Sequence, residues 1–229
     1  MPLSEVGDTF IVEFTNIIKY TQMSTKNTKI EISLTDFVKF ITKSGSPKLT
    51  VVKQIKTRGD YSPIQDFYKK FREDVINIHK KNKPKKDLKK ILNGLTDKKK
   101  LNSFPDMIKG YKKFWGNKKL SWFDPPSKKW IQGNLSVRIN PELGLEIVGS
   151  DFYAIKLYLS SNKLSKSRAD LILTLMESEL RPELEEDIKV AVLDVKDGKL
   201  YTLKDATDLS LLSLLQGEAL SFESIWKNI

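Results

Sequence analysis

Apolar residues recur along this chain with two different periods, and the change from one to the other falls a little past the middle. In the first part the period is helical. Phe10, Phe14, Ile17 and Ile18 predict an amphipathic helix over Thr9–Thr21, with a strand left open by its β-branched residues; Lys29–Ser33 alternates like a short strand, and Thr35–Lys43 reads as a helix stopped by Gly45. The next run, KLTVVKQIK, fits strand and helix equally. Ser62–Lys81 carries helix-start signals: Ser62 as cap, Pro63 in the first turn, Gln65 closing a capping box, and Ile64, Phe67, Phe71, Val75 and Ile78 in one stripe. A helix from Pro84 to Gly94 would bury Leu88, Ile91 and Leu92. Another, capped by Ser103 and ended by Gly116, would bury Met107, Ile108, Tyr111, Phe114 and Trp115. Gly116–Gly133, which holds Asp124-Pro125-Pro126, reads as a loop.

Beyond that loop the period becomes two. The runs LSVRIN, LGLEIV and DFYAIKLYLS predict three strands, followed by the helix SKSRADLILTLMESEL with Ser165 as cap. IKVAVLDV and GKLYTL predict two more strands joined by the hairpin signal Asp197-Gly198. The tail from Asp208 to Asn228 reads as a helix with Gly217 as a break. The expected fold class is α/β (α+β): a basic helical N-terminal region packed with a mixed five-stranded sheet flanked by helices. Residues 1–130 would form the first region and 131–229 the second, together or as one composite domain.

Composition narrows the chemistry. The chain has no cysteine, which removes disulfides, thiolate catalysis and Cys-ligated zinc. Its one histidine, His79, offers little to a histidine metal site and reads as a partner for a helix C-terminus. No apolar run reaches the roughly 20 residues that span a bilayer, and the opening residues lack a secretory pattern, so a cytoplasmic protein without a membrane partner is expected. Charge adds more. Residues 1–130 carry 29 Lys+Arg against 13 Asp+Glu (+16) and residues 131–229 carry 11 against 16 (−5), which together give the net +11. Such segregation points to a polyanion partner for the first region. The candidate nucleic-acid contacts are Lys69, Lys70, Arg72, Lys80, Lys81, Lys83, Lys85, Lys86, Lys112 and Lys113, interleaved further on with Tyr111, Phe114, Trp115, Trp122, Phe123 and Trp130. The plainer alternative is a lysine surface that serves solubility, with the aromatics in the core. Lysine outnumbers arginine here, which argues against base-specific forks, and no glycine-rich phosphate loop is present.

The order helix, three strands, helix, strand resembles the core of the PD-(D/E)XK nuclease superfamily. The resemblance implies one acid on the second strand and an acid-any-lysine triplet on the third. Two carboxylates would hold Mg²⁺ against a phosphate of DNA while the lysine assists phosphodiester hydrolysis. Here Glu146 takes the first position and Lys156 the lysine position, while the acid two residues earlier is replaced by Ala154. Glu142 would then move in as the second metal ligand. In a second placement, Asp194-Val195-Lys196 supplies the triplet, making Lys196 the assisting lysine, with Glu146 or Asp170 as the other acid. Each residue also has an ordinary reading: Lys156 snorkelling from a sheet edge, Asp194 and Lys196 as solvated ends of a hairpin, Glu146 on a wet strand face, Glu142 capping a turn. Three functions therefore stand. One is a Mg²⁺-dependent nuclease, one an inactive descendant that binds nucleic acid without a cofactor, and one an interaction protein, such as a phage or mobile-element inhibitor or a host-defence component, acting on a protein partner.

Overall fold

The computed structural model describes residues 29–58, 66–149, 151–203 and 209–229. The helix expected over Thr9–Thr21 and the start signals at Ser62–Gln65 lie outside them. The described residues are mixed α and β, with two sheets. Strand β1 (Ile30–Ser33) buries Ile30 and Ile32 by alternation and runs straight into helix α1 (Leu34–Ile41), whose cap is Ser33: its Oγ accepts the Asp36 N–H at 3.1 Å. The ambiguous KLTVVKQIK lies in helix α2 (Ser46–Thr57). Val51, Val52 and Ile55 are all buried, and a strand would have sent Val51 and Val52 to opposite faces.

Helix α3 (Lys69–Lys80) buries Phe71, Val75, Ile78 and His79, and it begins later than the expected start at Ser62. The segment expected as a helix from Pro84 is a 3₁₀ helix, Lys85–Leu92, in which Leu88 and Ile91 point inward. A 3₁₀ turn has three residues, so a pair spaced by three is brought onto one row. Helix α4 (Lys98–Trp115) starts earlier than expected. Its cap is Asp97, whose carboxylate accepts the N–H groups of Lys99 (2.7 Å) and Lys100 (3.1 Å), and Ser103 lies inside the helix.

The expected loop Gly116–Gly133 contains two strands, β2 (Leu120–Phe123) and β3 (Lys128–Gln132). After β4 (Leu135–Ile139), β5 (Leu143–Ile147) and β6 (Phe152–Tyr158) come helix α5 (Lys166–Leu180), strands β7 (Ile188–Asp194) and β8 (Lys199–Thr202), and helix α6 (Leu209–Lys227). Ser165 caps α5 as expected, and Gly198, at φ +64°, makes the hairpin turn between β7 and β8. Gly217 does not break α6.

The larger sheet has the order β2-β5-β6-β7-β8, with β6 and β7 parallel and its other pairs antiparallel. The expected five-stranded mixed sheet is present with one exchange. The run LSVRIN, as β4, leaves it for a three-stranded sheet β1-β4-β3, and β2 takes its place. Both sheets thus draw strands from each side of residue 130, and β3 straddles that point, so residues 1–130 and 131–229 are interleaved rather than consecutive units.

The large sheet separates two cores. On one face Val190 and Val192 pack with α1, α2, α5, α6 and the small sheet. On the other, Leu143, Leu145, Ile155, Leu157, Ala191 and Leu193 pack with α3, the 3₁₀ helix and α4.

Candidate functional site

Glu142 and Lys156 meet at one end of the β5–β6 hairpin. Lys156 Nζ lies 2.5 Å from Glu142 Oε1 and 3.1 Å from Asn140 O, and the other carboxylate oxygen of Glu142 accepts the Leu157 N–H at 2.7 Å. Both side chains are under 10 % exposed. A buried charge pair is tolerated when further hydrogen bonds support it, and here Asn140 O and the Leu157 N–H do so. Ala154 is fully buried opposite Gly144, so the place of the missing acid is filled by small residues.

The other acids are held elsewhere. Asp194 is 2 % exposed. Its oxygens accept the Leu164 N–H at 2.9 Å and the Asp197 N–H at 3.3 Å, so it ties the β6–α5 loop to the β7–β8 turn. Glu146 stands opposite Phe152, four residues along β5 from Glu142, a separation of about 13 Å at strand rise. Lys196 is exposed in the β7–β8 turn, and Asp170 pairs with Lys166 at 2.8 Å. The set Glu142, Glu146 and Asp194 is not gathered around a point that could hold Mg²⁺. Among the described residues no cluster of three His, Cys, Asp or Glu suits a metal. The donor chemistry agrees, because the oxygens of Glu142 and Asp194 are already committed to Lys156 and to backbone N–H groups.

Lys156 shares its sheet face with Val192, the face covered by α5, while α3, the 3₁₀ helix and α4 cover the opposite face. The sheet therefore stands between the lysine-rich helices and the Glu142–Lys156 pair.

Those helices sort the candidate cations into two groups. Lys69 pairs with Glu73 (3.6 Å), Lys70 with Asp74 (2.9 Å), Arg72 with Asp66 (2.7 Å) and Lys80 with Asp124 (2.8 Å). Lys85 donates to Gly116 O at 2.6 Å and Lys118 to Phe114 O, so two lysines close the C-terminal end of α4. Among the described residues, Lys81, Lys83, Lys86, Lys112 and Lys113 carry no ion pair, and the same holds for Lys89, Lys98, Lys99, Lys109 and Lys119. All but Lys112 are exposed.

Lys83, Lys86 and Lys89 recur every third residue. In the 3₁₀ helix this spacing places Lys86 and Lys89 in one row about 6 Å apart, a third of a turn from the buried row of Leu88 and Ile91. The row begins beside the end of α4, where Lys85 reaches Gly116. Sequence reasoning had the lysine runs but missed which members are unpaired. The i,i+4 partners Glu73 and Asp74 could have flagged Lys69 and Lys70; Asp124 gave no such signal for Lys80.

The aromatic residues of this lobe are mostly interior. Tyr111 is fully buried and its Oη lies 2.7 Å from His79 Nε2, while the Trp115 ring sits 4.6 Å from the imidazole, centroid to centroid. Burial pushes the Tyr111 hydroxyl well above its usual range and pulls His79 down to about 4. His79 is therefore a neutral core residue rather than a charged partner of the helix end.

At the C-terminal end of α4 a groove of about 440 Å³ is lined by Lys113, Phe114, Lys118, Ile147, Gly198, Lys199 and Leu200. Among the described residues no helix is long and apolar enough to cross a membrane. No family model, curated protein or solved structure matches the chain.

Proposed function

We propose that this chain is a non-catalytic nucleic-acid-binding protein that grips phosphates with the unpaired lysines of the α3–3₁₀–α4 lobe. The observation that carries the reading is the set Lys83, Lys86 and Lys89, exposed and without an ion pair among the described residues, the last two on a 3₁₀ helix that buries Leu88 and Ile91. Exposed lysines without counter-charges are what a polyanion displaces its own counterions to reach. Helix α4 adds further exposed lysines, Lys98, Lys99, Lys109 and Lys113, without an ion pair among the described residues. Lysine contacts of this kind give affinity without base identity, so the binding is sequence-tolerant.

Against catalysis stands the burial of Lys156 against Glu142 beneath α5, on the face of the sheet away from the lysines. The test is fluorescence anisotropy with labelled DNA across a salt series, beside a plasmid-nicking assay with Mg²⁺. The reading expects a linear fall of log affinity with log salt and no nicking. Salt-independent binding, absence of binding, or nicking that disappears in Lys156→Met would overturn it.

A further inference from the structure

Helix α6 turns one face inward, burying Leu215, Ala219 and Phe222. On its outer face Leu214 and Leu220 are 52 % and 61 % exposed, and nothing lies within 4 Å of a Cβ added at Gly217. That outer face reads the same in both directions from Gly217. Three residues away on either side stands a leucine (Leu214, Leu220), four away a serine (Ser213, Ser221), and seven away another serine (Ser210, Ser224). At 3.6 residues per turn all of them fall within about 60° of Gly217, in one stripe about 21 Å long. The stripe holds no charged residue. The carboxylates of α6 are turned aside, Glu218 to Lys48 and Glu223 to Asn134 and Lys227.

We infer that this face pairs with the same face of a second copy of the chain, the two α6 helices antiparallel and crossing at Gly217. In a two-fold contact of antiparallel helices, each residue before the crossing point lies level with the one equally far after it, so a face mirrored about one residue mates with itself. On ideal helices the two glycines meet, Leu214 lies beside Ser221 of the partner subunit, and Leu220 lies beside the partner's Ser213. Each large side chain thus meets a small one, as ridges enter grooves. Charge favours the same occupant. Two chains of net charge +11 repel each other. The stripe is uncharged and lies across the large sheet from α3, the 3₁₀ helix and α4, so pairing here keeps the two lysine-rich lobes apart. Area sets the strength: a stripe of this length on a helix about 10 Å across covers roughly 200 Å² per copy, against about 800 Å² per partner in a standard interface, so the pairing is weak and dissolves on dilution.

The test uses the full chain, which has no cysteine, so introduced ones report without background. With the helix axes about 8 Å apart, the Cα atoms of Leu214 and of Ser221 of the partner subunit come within about 5 Å, inside the disulfide range of about 4.4–6.8 Å. Two copies of position 214 are offset along the axis by about 9 Å, and two copies of position 221 by about 12 Å. An equimolar mixture of Leu214→Cys and Ser221→Cys, oxidised at about 200 µM, should give a covalent dimer of one chain of each, and either variant alone about tenfold less. Sedimentation equilibrium of the wild type from about 20 µM to about 1 mM should show the mean mass rising above that of one chain. Leu214→Glu/Leu220→Glu alters two exposed positions and should keep the wild-type circular dichroism spectrum while staying at the mass of one chain.

Ser221→Cys linked to itself would mark parallel helices, and equal linking in all three samples would mark random collision; either overturns the inference. A wild type that keeps the mass of one chain throughout overturns it as well, and if its double glutamate variant also melts lower, the face is covered from within the chain. A glutamate variant that associates as the wild type does would place the contact elsewhere. These measurements use no nucleic acid, so their outcome is independent of the phosphate-binding reading.

Discussion

Gly110→Ala and Gly217→Ala are the same substitution in two helices, and they should move stability in opposite directions. Within a helix, exchanging glycine for alanine ordinarily stabilises by about 1 kcal/mol, because the unfolded chain loses freedom and the helix gains a better former. Gly217 lies in α6, exposed, with nothing within 4 Å of an added Cβ, so Gly217→Ala should gain most of that amount. Gly110 lies in α4 against the β7–β8 turn, where an added Cβ would meet Val195 O at 2.1 Å and Lys196 O at 2.2 Å. Those distances are more than about 1 Å short of ordinary contact. The atoms are backbone, so the helix or the hairpin must move. Overpacking of this kind costs typically 1–3 kcal/mol and occasionally more. Two backbone oxygens within 2.2 Å put the cost at the upper end, about 3 kcal/mol, so against the helix gain of about 1 kcal/mol a net loss of about 2 kcal/mol is expected, or a fall in Tm of about 4–8 °C for a chain of this length. Urea and thermal unfolding followed by far-UV circular dichroism measure both variants. A Gly110→Ala protein as stable as the parent, or more so, would refute the close approach of α4 to the hairpin and with it the geometry of the groove.

Other outcomes follow from the buried polar groups. His79 is pulled from 6.5 to about 4 in the folded chain, so the unfolded chain takes up its proton first; its contribution is complete above pH 6.5 and is lost as pH falls toward 4. Wild type should therefore lose about 3 kcal/mol more than His79→Leu between pH 7 and pH 4, as read from urea midpoints, and parallel pH profiles would contradict the burial. Glu142→Gln and Lys156→Met should each cost about 3–5 kcal/mol by leaving a buried charge alone, and the double variant much less than their sum. Additive losses in that cycle would mean the two groups are not coupled. The double variant should also retain wild-type affinity for DNA, since the pair lies across the sheet from the lysine lobe.

How far the sequence carried depended on how local each determinant was. The β7–β8 hairpin, the cap of α5 by Ser165 and the stripe Phe71, Val75 and Ile78 are set by residues within a few positions of one another, and all were legible. The exchange of β4 for β2 in the large sheet was not, because β4 finds its parallel partner β1 about a hundred residues earlier. Strand β3 was hidden for a related reason: in KKWIQ only Trp130 is buried, so the run has no alternation to show. The nuclease-like motif was legible as letters, whereas the fate of Glu142 turns on β5–β6 register, which sets it opposite Lys156 as an ion pair instead of leaving it free for a metal. Charge segregation singled out the lysine-rich lobe, yet it could not separate Lys80, spent on Asp124, from Lys83 three residues on.

The central claim is that unpaired lysines, not the total of positive charge, hold the nucleic acid, and it is tested by two triple variants in one salt titration. Neutralising Lys83, Lys86 and Lys89 to alanine should flatten the slope of log affinity against log salt by about 2, at roughly 0.7 per phosphate contact for a single strand. Neutralising Lys69, Lys70 and Arg72, which already have carboxylate partners, should leave that slope within about 0.5 of wild type. Equal flattening by both sets, or a larger effect from the paired one, would contradict the account.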